Sequence, residues 1–346
     1  MKTKIIKINP EKPEISKVKI AAETLRKGGL VAFPTETVYG LGADAFNSEA
    51  IKKIFEAKGR PIDNPLIIHI ADKKEVYRLA REVPREAEKL INKFWPGPLT
   101  IILKKSNIVS DIITAGLDSV AIRMPNNKIA LTLIKKSKVP IVAPSANLSG
   151  KPSPTMAEHA IQDLYGKIEI IIDGGETDIG VESTVLDLTT NPPTLLRPGG
   201  VDLEKLKEVL GKIKIHPIVK GKQIKKIAVK SPGMKYRHYA PNAKVILVEG
   251  KYERVKNKIQ ELTDKYKKKG KKIAIMTTNK NHNYKTGAIK FIGKDCDAIA
   301  KNLFKTFREF DKEKIDLIIA EGVSDNGLGL AVMNRLRKAS YKIIGV

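Results

Sequence analysis

Short apolar runs, bounded by glycine, proline, asparagine or aspartate, alternate with segments of helical periodicity through the first two thirds of the chain. Such runs predict buried strands, and apolar positions recurring every three to four residues predict amphipathic helices. The predicted strands are GGLVAFPTET, PLIIHIA, LTIILKK, SVAIRMP, VPIVAPS, IEIIIDGG, STVLDLT and PTLLRPG. The predicted helices lie at about 15–28, 48–58, 73–81, 84–94, 127–136, 156–163 and 202–211. Many strands lack a long helix between them, which indicates a twisted, mostly mixed sheet with surrounding helices.

The pattern changes twice in the last third of the chain. Residues 216–243 are interrupted throughout by proline, glycine and basic residues, and they predict an interdomain linker longer than a typical loop. Beyond it, the strands KVILVEG, KKIAIMTT, AIKFIG and DLIIAEG alternate with predicted helices at 251–269, 296–310 and 329–339. The sequence therefore predicts an α/β protein with a larger domain over 1–215 and a smaller, Rossmann-like parallel-sheet domain over 244–346.

Composition narrows the class of protein. A length of 346 residues accommodates two domains, and 42% hydrophobic with 29% charged residues is typical of a soluble globular chain. No apolar run reaches the length of a membrane span, and the start MKTKIIKINPEKPE lacks the apolar core of a signal peptide. The single cysteine, Cys296, excludes an intramolecular disulfide framework. We therefore expect a cytoplasmic protein.

The formal net charge of +26 suggests a polyanionic partner, either nucleic acid or nucleotide phosphates. The chain is also rich in lysine, glutamate and isoleucine and poor in glutamine and cysteine, which is how many heat-adapted proteins look. Much of the lysine would then be solvated surface. Net charge alone does not choose between these interpretations.

The stretch AKGRPIDNPLIIHI places two cations, Lys58 and Arg60, beside a predicted helix end. Residues two apart on a helix do not share a face, so the two side chains converge only where the chain leaves the helix. Ser48 is the expected N-cap of that helix, and Gly59 is its expected stop. Two interpretations stay open: a solvated helix end favoured by the helix dipole, or a site for an anion.

Further polar residues stand at the ends of predicted strands. Ser145 and Asn147 of PSANLSG follow one strand, where open α/β sheets commonly bind ligands, although a simple turn explains them equally. Four basic residues each stand at the end of an apolar element: Lys58, Arg60, Arg123 and Arg197. They form one larger pattern with the polar residues Ser145, Asn147 and Ser183. Arginine gives bidentate phosphate contacts and lysine a point charge, so together they predict a polyphosphate site.

Glycine motifs give weaker signals. No G-x-x-x-x-G-K-[ST] motif is present, which argues against a P-loop NTPase. GLGADA at 40–45 imitates a dinucleotide fingerprint, and NGLGLAVMNRLRKAS at 326–340 has a helix entry that packing glycines explain better. A nicotinamide-dependent oxidoreductase thus rests on weak matches. A nucleic-acid-binding module is the second alternative, opposed by an aromatic content of only 5%.

Seven motifs occur in a fixed order: FPTETVYGLGADA, KGRPIDNPL, WPGPLT, IRMP, PSANLSG, ESTVLDL and LRPG. On these motifs the sequence resembles the YrdC-like family, in the two-domain type of its L-threonylcarbamoyladenylate synthases. The linker stretch SPGMKYRHYAP also looks like that type, whereas the last domain resembles it only in pattern. The resemblance implies a catalytic domain over 1–215 that condenses L-threonine, bicarbonate and ATP, with Mg²⁺ as cofactor.

The resemblance also implies partners for the product. A tRNA threonylcarbamoyl transferase complex would pass the threonylcarbamoyl group to the adenosine beside the anticodon. Direct contact of the basic surface with tRNA is a further expectation. No membrane is expected as a partner.

Site residues follow from the resemblance motif by motif. Those expected to bind ATP are Lys58, Arg60, Asn64, Ser119, Ser145, Asn147, Ser153, Arg197 and Tyr236, with Lys58 and Arg60 also catalytic. Those expected to bind threonine are Thr35, His69, Arg123, Ala143 and Ser183. No residue is expected to be a dedicated metal ligand. His69 alternates with Ile68 and Ile70 like a core residue, and only the resemblance makes it a ligand.

Overall fold

The computed structural model describes residues 1–220, 238–281, 284 and 288–346. The chain forms two compact units: unit 1 comprises Met1–Ser149 and Ser153–Lys235, and unit 2 comprises Gly150–Pro152 and Tyr236–Val346. No pattern in the sequence indicates that three residues inside the first domain belong with unit 2. Among the helices of the described residues, none combines the length and apolarity that crossing a bilayer requires.

Unit 1 is built around a mixed sheet. Its strands are β1 (Lys4–Lys7), β2 (Val31–Phe33), β3 (Gly40–Asp44), β4 (Ile67–His69), β5 (Leu99–Lys104), β6 (Ser119–Arg123), β7 (Ile141–Val142), β8 (Ile170–Asp173), β9 (Thr184–Asp187), β10 (Thr194–Arg197) and β11 (Lys214–Ile215). They are ordered β1-β8-β2-β3-β7-β4-β6-β5-β9-β10-β11. Parallel pairs such as β4–β6 stand beside antiparallel ones such as β5–β6, which confirms the predicted mixed sheet.

Apart from α5 (Asp111–Thr114), which was not predicted, the helices of unit 1 lie close to the predicted positions. They are α1 (Ile15–Arg26), α2 (Ser48–Lys58), α3 (Val76–Leu79), α4 (Arg85–Phe94), α5 (Asp111–Thr114), α6 (Lys128–Ser137), α7 (Ala157–Leu164) and α8 (Leu203–Leu210). The buried face of α1 carries Val18, Ala21, Ala22 and Leu25, the spacing of one helical stripe. That stripe lies in one core with Leu133 of α6 and with residues of the sheet.

Unit 2 has a smaller sheet. Its elements are β12 (Lys244–Glu249), α9 (Tyr252–Lys267), β13 (Ile273–Thr277), β14 (Ala288–Phe291), α10 (Cys296–Lys312), β15 (Leu317–Glu321), α11 (Gly329–Ala339) and β16 (Lys342–Gly345). The strand order is β14-β13-β15-β12-β16, and each of these pairings is parallel. The predicted parallel sheet of the C-terminal part is therefore confirmed.

The structure corrects several local predictions. The helix expected at 73–81 is a short 3₁₀ turn at Lys73–Glu75 followed by α3. The strands β1, β3, β11 and β16 were not predicted. GLGADA is the strand β3, so the dinucleotide interpretation of 40–45 is wrong. A Cβ on Gly42 would lie 2.8 Å from Cε1 of Phe33 and 2.9 Å from Cγ2 of Ile141, so this glycine permits close packing inside the sheet.

The second glycine motif is a packing glycine at a helix entry, as expected. A Cβ on Gly329, the first residue of α11, would lie 2.0 Å from the carbonyl oxygen of Ser324. Only glycine therefore fits where the loop passes this close to the helix.

Candidate active site

The end of α2 sets the directions of Lys58 and Arg60. Asn47, not the expected Ser48, is the N-cap, because its side chain accepts hydrogen bonds from two N–H groups of the first turn. Gly59 ends the helix in the left-handed conformation with φ 59°, as expected. Lys58 is thus the last helical residue and Arg60 lies beyond the reversal. Because the chain reverses between them, the two side chains do not have to point to different faces of one helix.

Lys58 is buried, with 3% of its surface exposed, so the solvated interpretation of this helix end is wrong. Its Nζ donates hydrogen bonds to the backbone carbonyl oxygens of Ser145 and Asn147. The Ser149 N–H donates back to the Lys58 carbonyl over 2.9 Å. A buried ammonium needs such acceptors to offset its desolvation. The lysine therefore holds the loop after β7 against the end of α2.

Arg60 is also buried and shapes the turn that follows it. Its Nη2 donates to the carbonyl oxygens of Asn64 and Pro65, each over 3.1 Å. Asn64 is 1% exposed, and its Oδ1 has no hydrogen-bond partner among the described residues. A buried acceptor in that state is costly unless a ligand donor reaches it. The turn thus combines a fixed cation with an acceptor suited to a ligand.

Ser119 and Arg123 occupy opposite ends of β6, about 13 Å apart at ~3.3 Å per residue. Strands β4 and β6 are parallel, and Ile67 of β4 pairs with Ala121 of β6. Pro65 and Ser119 each precede their paired residue by two positions, so they lie at the same end of the two strands. Ser119 therefore lies toward the Arg60 turn, and Arg123 lies at the other end of the strand. One strand spans two chemically distinct regions.

Arg123 is buried at the end of β6 in a polar setting. Its Nη2 lies 2.7 Å from Oε2 of Glu36, and both side chains are 5% exposed. The same nitrogen donates to Oγ1 of Thr37 over 2.9 Å, and Nε donates to the Gly97 carbonyl over 3.4 Å. Arg123 is therefore half of a buried ion pair.

The loop after β2 positions that carboxylate. Oγ1 of Thr35 donates to the Val38 carbonyl over 2.6 Å and accepts from the Val38 N–H over 3.2 Å. The Glu36 carbonyl accepts from the Ile179 N–H over 2.8 Å. Thr35, a candidate threonine ligand, thus uses its hydroxyl within its own loop and fixes the residues that face Arg123.

His69 lies beside Arg123, because the two residues pair across β4 and β6. Burial, and then the charge of Arg123, lower the pKa of His69 to about 3. The ring is therefore neutral at physiological pH, and it meets Phe33 edge-on at 6.5 Å between centroids. The Ala143 N–H donates to the Ile67 carbonyl over 3.0 Å, which places this candidate beside the same strand.

Ser183 joins two further candidates. Its Oγ shares a hydrogen bond of 2.7 Å with Oγ1 of Thr100 and accepts from Nη2 of Arg197 over 3.1 Å. Nε of Arg197 donates to the Ser183 carbonyl over 3.0 Å. Ser153 donates a short hydrogen bond to Oε1 of Glu182, the neighbour of Ser183 in sequence. Residues that are distant in the chain therefore meet at the entry of β9.

These contacts bring the candidates into adjoining groups within unit 1. Strand pairing places Thr100 opposite Arg123, and an isolated bridge joins Gly40 to Ser145. Tyr236 lies outside the described residues. Sequence reasoning did not assign Glu36, Thr37 or Thr100 to the site. Glu36 and Thr37 lie in the motif FPTETVYGLGADA, and Thr100 is the last residue of the motif WPGPLT, so membership of these motifs is the signal that could have identified them.

The fold is that of an α/β protein, and unit 1 holds buried cations at the ends of helices and strands. The Sua5/YciO/YrdC family model, described as "Telomere recombination", matches residues 23–199. A second model, described as "Threonylcarbamoyl-AMP synthase, C-terminal domain", matches residues 201–340. The chain belongs to the Sua5/YciO/YrdC family, in its two-domain form, and the resemblance read from the seven motifs is confirmed.

Individual relatives agree with this assignment over the whole length. A Pyrococcus abyssi protein named Threonylcarbamoyl-AMP synthase is 58% identical over 97% of this chain and 98% of its own. A Bacillus subtilis protein of the same name is 50% identical over 92% of each chain. The crystal structure of P. abyssi Sua5 complexed with L-threonine matches with a TM-score of 0.95 at 57% identity, covering 99% of this chain and 100% of that one.

Proposed function

We infer that this protein condenses L-threonine, bicarbonate and ATP into L-threonylcarbamoyladenylate, pyrophosphate and water. The observation that carries the inference is the set of four buried cations in unit 1 of a chain whose named relatives are threonylcarbamoyl-AMP synthases. Lys58, Arg60, Arg123 and Arg197 are 3%, 8%, 4% and 5% exposed. Buried cations at this density suit reactants that are themselves anions.

The reaction has two bond-forming steps. The neutral threonine amine attacks the carbon of bicarbonate, the hydroxyl leaves as water with a proton released by the amine, and the product is the carbamate N-carboxythreonine. A carbamate oxygen then attacks the α-phosphorus of ATP, and the bond to the bridging oxygen breaks to release pyrophosphate. The carbamate and the triphosphate repel each other, so positioning and charge neutralisation are the main tasks of the site.

We divide these tasks between two groups of residues: an ATP end around Lys58, Arg60 and Asn64, and a threonine end around Arg123 and Thr35. We assign ATP to Lys58, Arg60 and Asn64, with Ser119, Ser145, Asn147, Ser153, Arg197 and Tyr236 as further contacts. Lys58 and Arg60 stabilise charge that develops on the phosphates, which makes them the catalytic residues. We assign threonine to Arg123 through its carboxylate, and to Thr35, His69, Ser183 and the backbone of Ala143. Neutral His69 suits contact with the threonine side chain rather than with a charged group.

Mg²⁺ enters this proposal as part of the ATP substrate. Within the described ranges, no three His, Cys, Asp or Glu residues come together as a metal site. Two carboxylates that contact candidate residues, Glu36 and Glu182, do so at Arg123 and Ser153. Mg²⁺ often binds mainly through substrate phosphates and water, and this donor set fits an ion brought by ATP. The ion supplies neutralisation of phosphate charge.

The product is an activated acyl adenylate, so a transferase must consume it. We propose that a threonylcarbamoyl transferase complex passes the group to adenosine beside the anticodon of tRNA. The net charge of +26 supports a direct contact with tRNA phosphates as a second part of this proposal. A steep loss of tRNA affinity with rising salt would support that contact.

The decisive experiment measures pyrophosphate release from ATP while L-threonine and bicarbonate are omitted in turn. We expect release only when both are present, because the carbamate is the nucleophile. Release that is indifferent to either would contradict the condensation and leave a nucleotide hydrolase or an RNA-binding module with bound nucleotide. Mass spectrometry of the adenylate identifies the product directly.

A further inference from the structure

Glu36 is a buried carboxylate to which the mechanism above gives no role. It is 4% exposed, and its Oε2 lies 2.7 Å from Nη2 of Arg123. Oε1 has no hydrogen-bond partner in the part of the chain that the structure describes. A buried carboxylate oxygen in that state costs free energy unless a donor reaches it on ligand binding. Glu36 therefore has one oxygen engaged and one available.

The backbone around Glu36 is held on both sides. The Ile179 N–H donates to the Glu36 carbonyl over 2.8 Å, and the Gly180 N–H donates to the Thr37 carbonyl over 3.1 Å. The Thr35 hydroxyl accepts from the Thr37 N–H over 3.2 Å and shares a hydrogen bond of 2.8 Å with the Thr37 hydroxyl. The carboxylate therefore has a fixed position beside the cation, which is what a selective site requires.

The charges of Glu36 and Arg123 match those of an amino acid. An α-amino acid carries a carboxylate and an ammonium group on the same carbon, and a buried anion beside a buried cation presents the opposite arrangement. Within the described part of the chain, Arg123 contacts Gly97 through Nε and contacts Thr37 and Glu36 through Nη2. Nη1 is then the guanidinium nitrogen that can donate to a ligand oxygen. Arginine, ligand carboxylate, ligand ammonium and glutamate would then form a closed ring of alternating charge.

We propose that Glu36 binds the α-ammonium group of L-threonine through Oε1 and is the residue by which the site selects amino acids over hydroxy acids. The proposal rests on the proposed function, since it deepens the assignment of the threonine side of the site. Without Glu36, a site built on Arg123 would carry a net positive charge. Such a site would accept the carboxylate of any small organic acid of the right shape, including acids that lack the reacting amine.

The test compares two ligands in each protein. (R)-3-Hydroxybutyrate is L-threonine with the ammonium group replaced by hydrogen. We expect the full-length wild-type protein to bind threonine more tightly than this analogue by isothermal titration calorimetry. Glu36→Gln keeps the shape and removes the charge, so its preference for threonine should fall at least about tenfold, the scale of one hydrogen bond to a charged group. The ratio of the two affinities within one protein cancels general damage to the fold.

A matched control is Glu182→Gln, which removes a second buried carboxylate from the same region. We expect Glu182→Gln to retain the wild-type preference for threonine. If Glu36→Gln also retains it, Glu36 does not bind the ammonium group and the proposal is overturned. If Glu36→Gln does not fold, Glu36→Ala, which also lacks the charge, replaces it, and an unchanged preference in that variant overturns the proposal as well.

Failure of the proposed function as a whole would give different results in the binding and pyrophosphate-release measurements. A wild-type protein that binds neither ligand, and releases pyrophosphate without threonine, would reject the threonine site as a whole. Binding of threonine by the wild type, with equal preference in Glu36→Gln, would reject only the role of Glu36. The two outcomes are therefore distinguishable in one set of titrations.

Discussion

The two ends of the candidate site hold their cations in different ways. At the ATP end, Lys58 and Arg60 donate hydrogen bonds to backbone carbonyl oxygens. At the threonine end, Arg123 faces the buried carboxylate of Glu36 at 2.7 Å. Carbonyl oxygens carry no formal charge, so those contacts orient a cation without neutralising it. A carboxylate forms a neutral pair with its cation.

This difference matches the ligands assigned to each end. A triphosphate is highly anionic and benefits from several buried cations held in fixed positions. A zwitterion such as threonine has no net charge and benefits from a balanced pair of opposite charges. Under the proposed assignment, basic residues that look alike in the sequence, each at the end of an apolar element, bind two ligands of different charge. The following substitutions test the comparison in order of expected effect.

Removing a cation at the ATP end should have the largest effect. Lys58→Met or Arg60→Ala should lower the rate of pyrophosphate release by about 10³-fold, or ~4 kcal/mol in the barrier, because developing phosphate charge loses a fixed partner. Initial rates at saturating threonine and bicarbonate measure this. Lys52→Met, at an exposed position of the same helix, is the control and should keep wild-type activity. Wild-type turnover in Lys58→Met would remove Lys58 from the mechanism.

Removing the cation at the threonine end should cost stability as well as binding. Arg123→Met leaves Glu36 as a buried anion without its ion-pair partner, so we expect the free energy of unfolding to fall by about 3 kcal/mol. Urea denaturation measures it. Arg81→Met, which breaks an exposed pair with Asp118, should cost less than about 1 kcal/mol. The double variant Arg123→Met/Glu36→Gln should recover part of the loss, and simple additivity would argue against a coupled pair.

Lowering the pH should disturb the charge balance at the threonine end through His69. Its folded pKa, about 3, lies below the ordinary value of 6.5, so below pH 6.5 the unfolded chain binds a proton that the folded protein excludes. Stability is therefore full above pH 6.5 and is lost as the pH falls toward 3. Between pH 7 and pH 5, we expect the wild type to lose about 2 kcal/mol more than His69→Gln. Equal losses in urea denaturation would contradict this assignment.

The smallest expected effect concerns Ser183, which contacts Thr100, the residue opposite Arg123, and the ATP candidate Arg197. Ser183→Ala removes the hydrogen bonds of its hydroxyl with Thr100 and Arg197, and we expect a loss of about 1 kcal/mol in the free energy of unfolding. Steady-state kinetics should show a rise of a few fold in the KM for both ATP and threonine. A rise for only one substrate would assign Ser183 to one end of the site.

Much of the fold was predictable from hydrophobic periodicity. The predicted helix at 48–58 coincides with α2, and the runs LTIILKK and KVILVEG contain β5 and β12. Strand β3 was missed because its glycines look like a loop, and only the packing of Phe33 and Ile141 around Gly42 explains them. Edge strands such as β1 and β16 were missed because their mixed polar and apolar residues give a weak pattern.

For the candidate site too, some features were predictable from the sequence and others were not. By itself, the sequence determined the family, the mixed sheet and the residue types available, because periodicity and ordered motifs are local properties of a chain. Only the tertiary structure decided that Lys58 contacts carbonyl groups and that Arg123 contacts Glu36, which is 87 residues earlier in the sequence. The electrostatic environment of a charge depends on burial and on neighbours brought together by strand order, and neither is written in the spacing of residues.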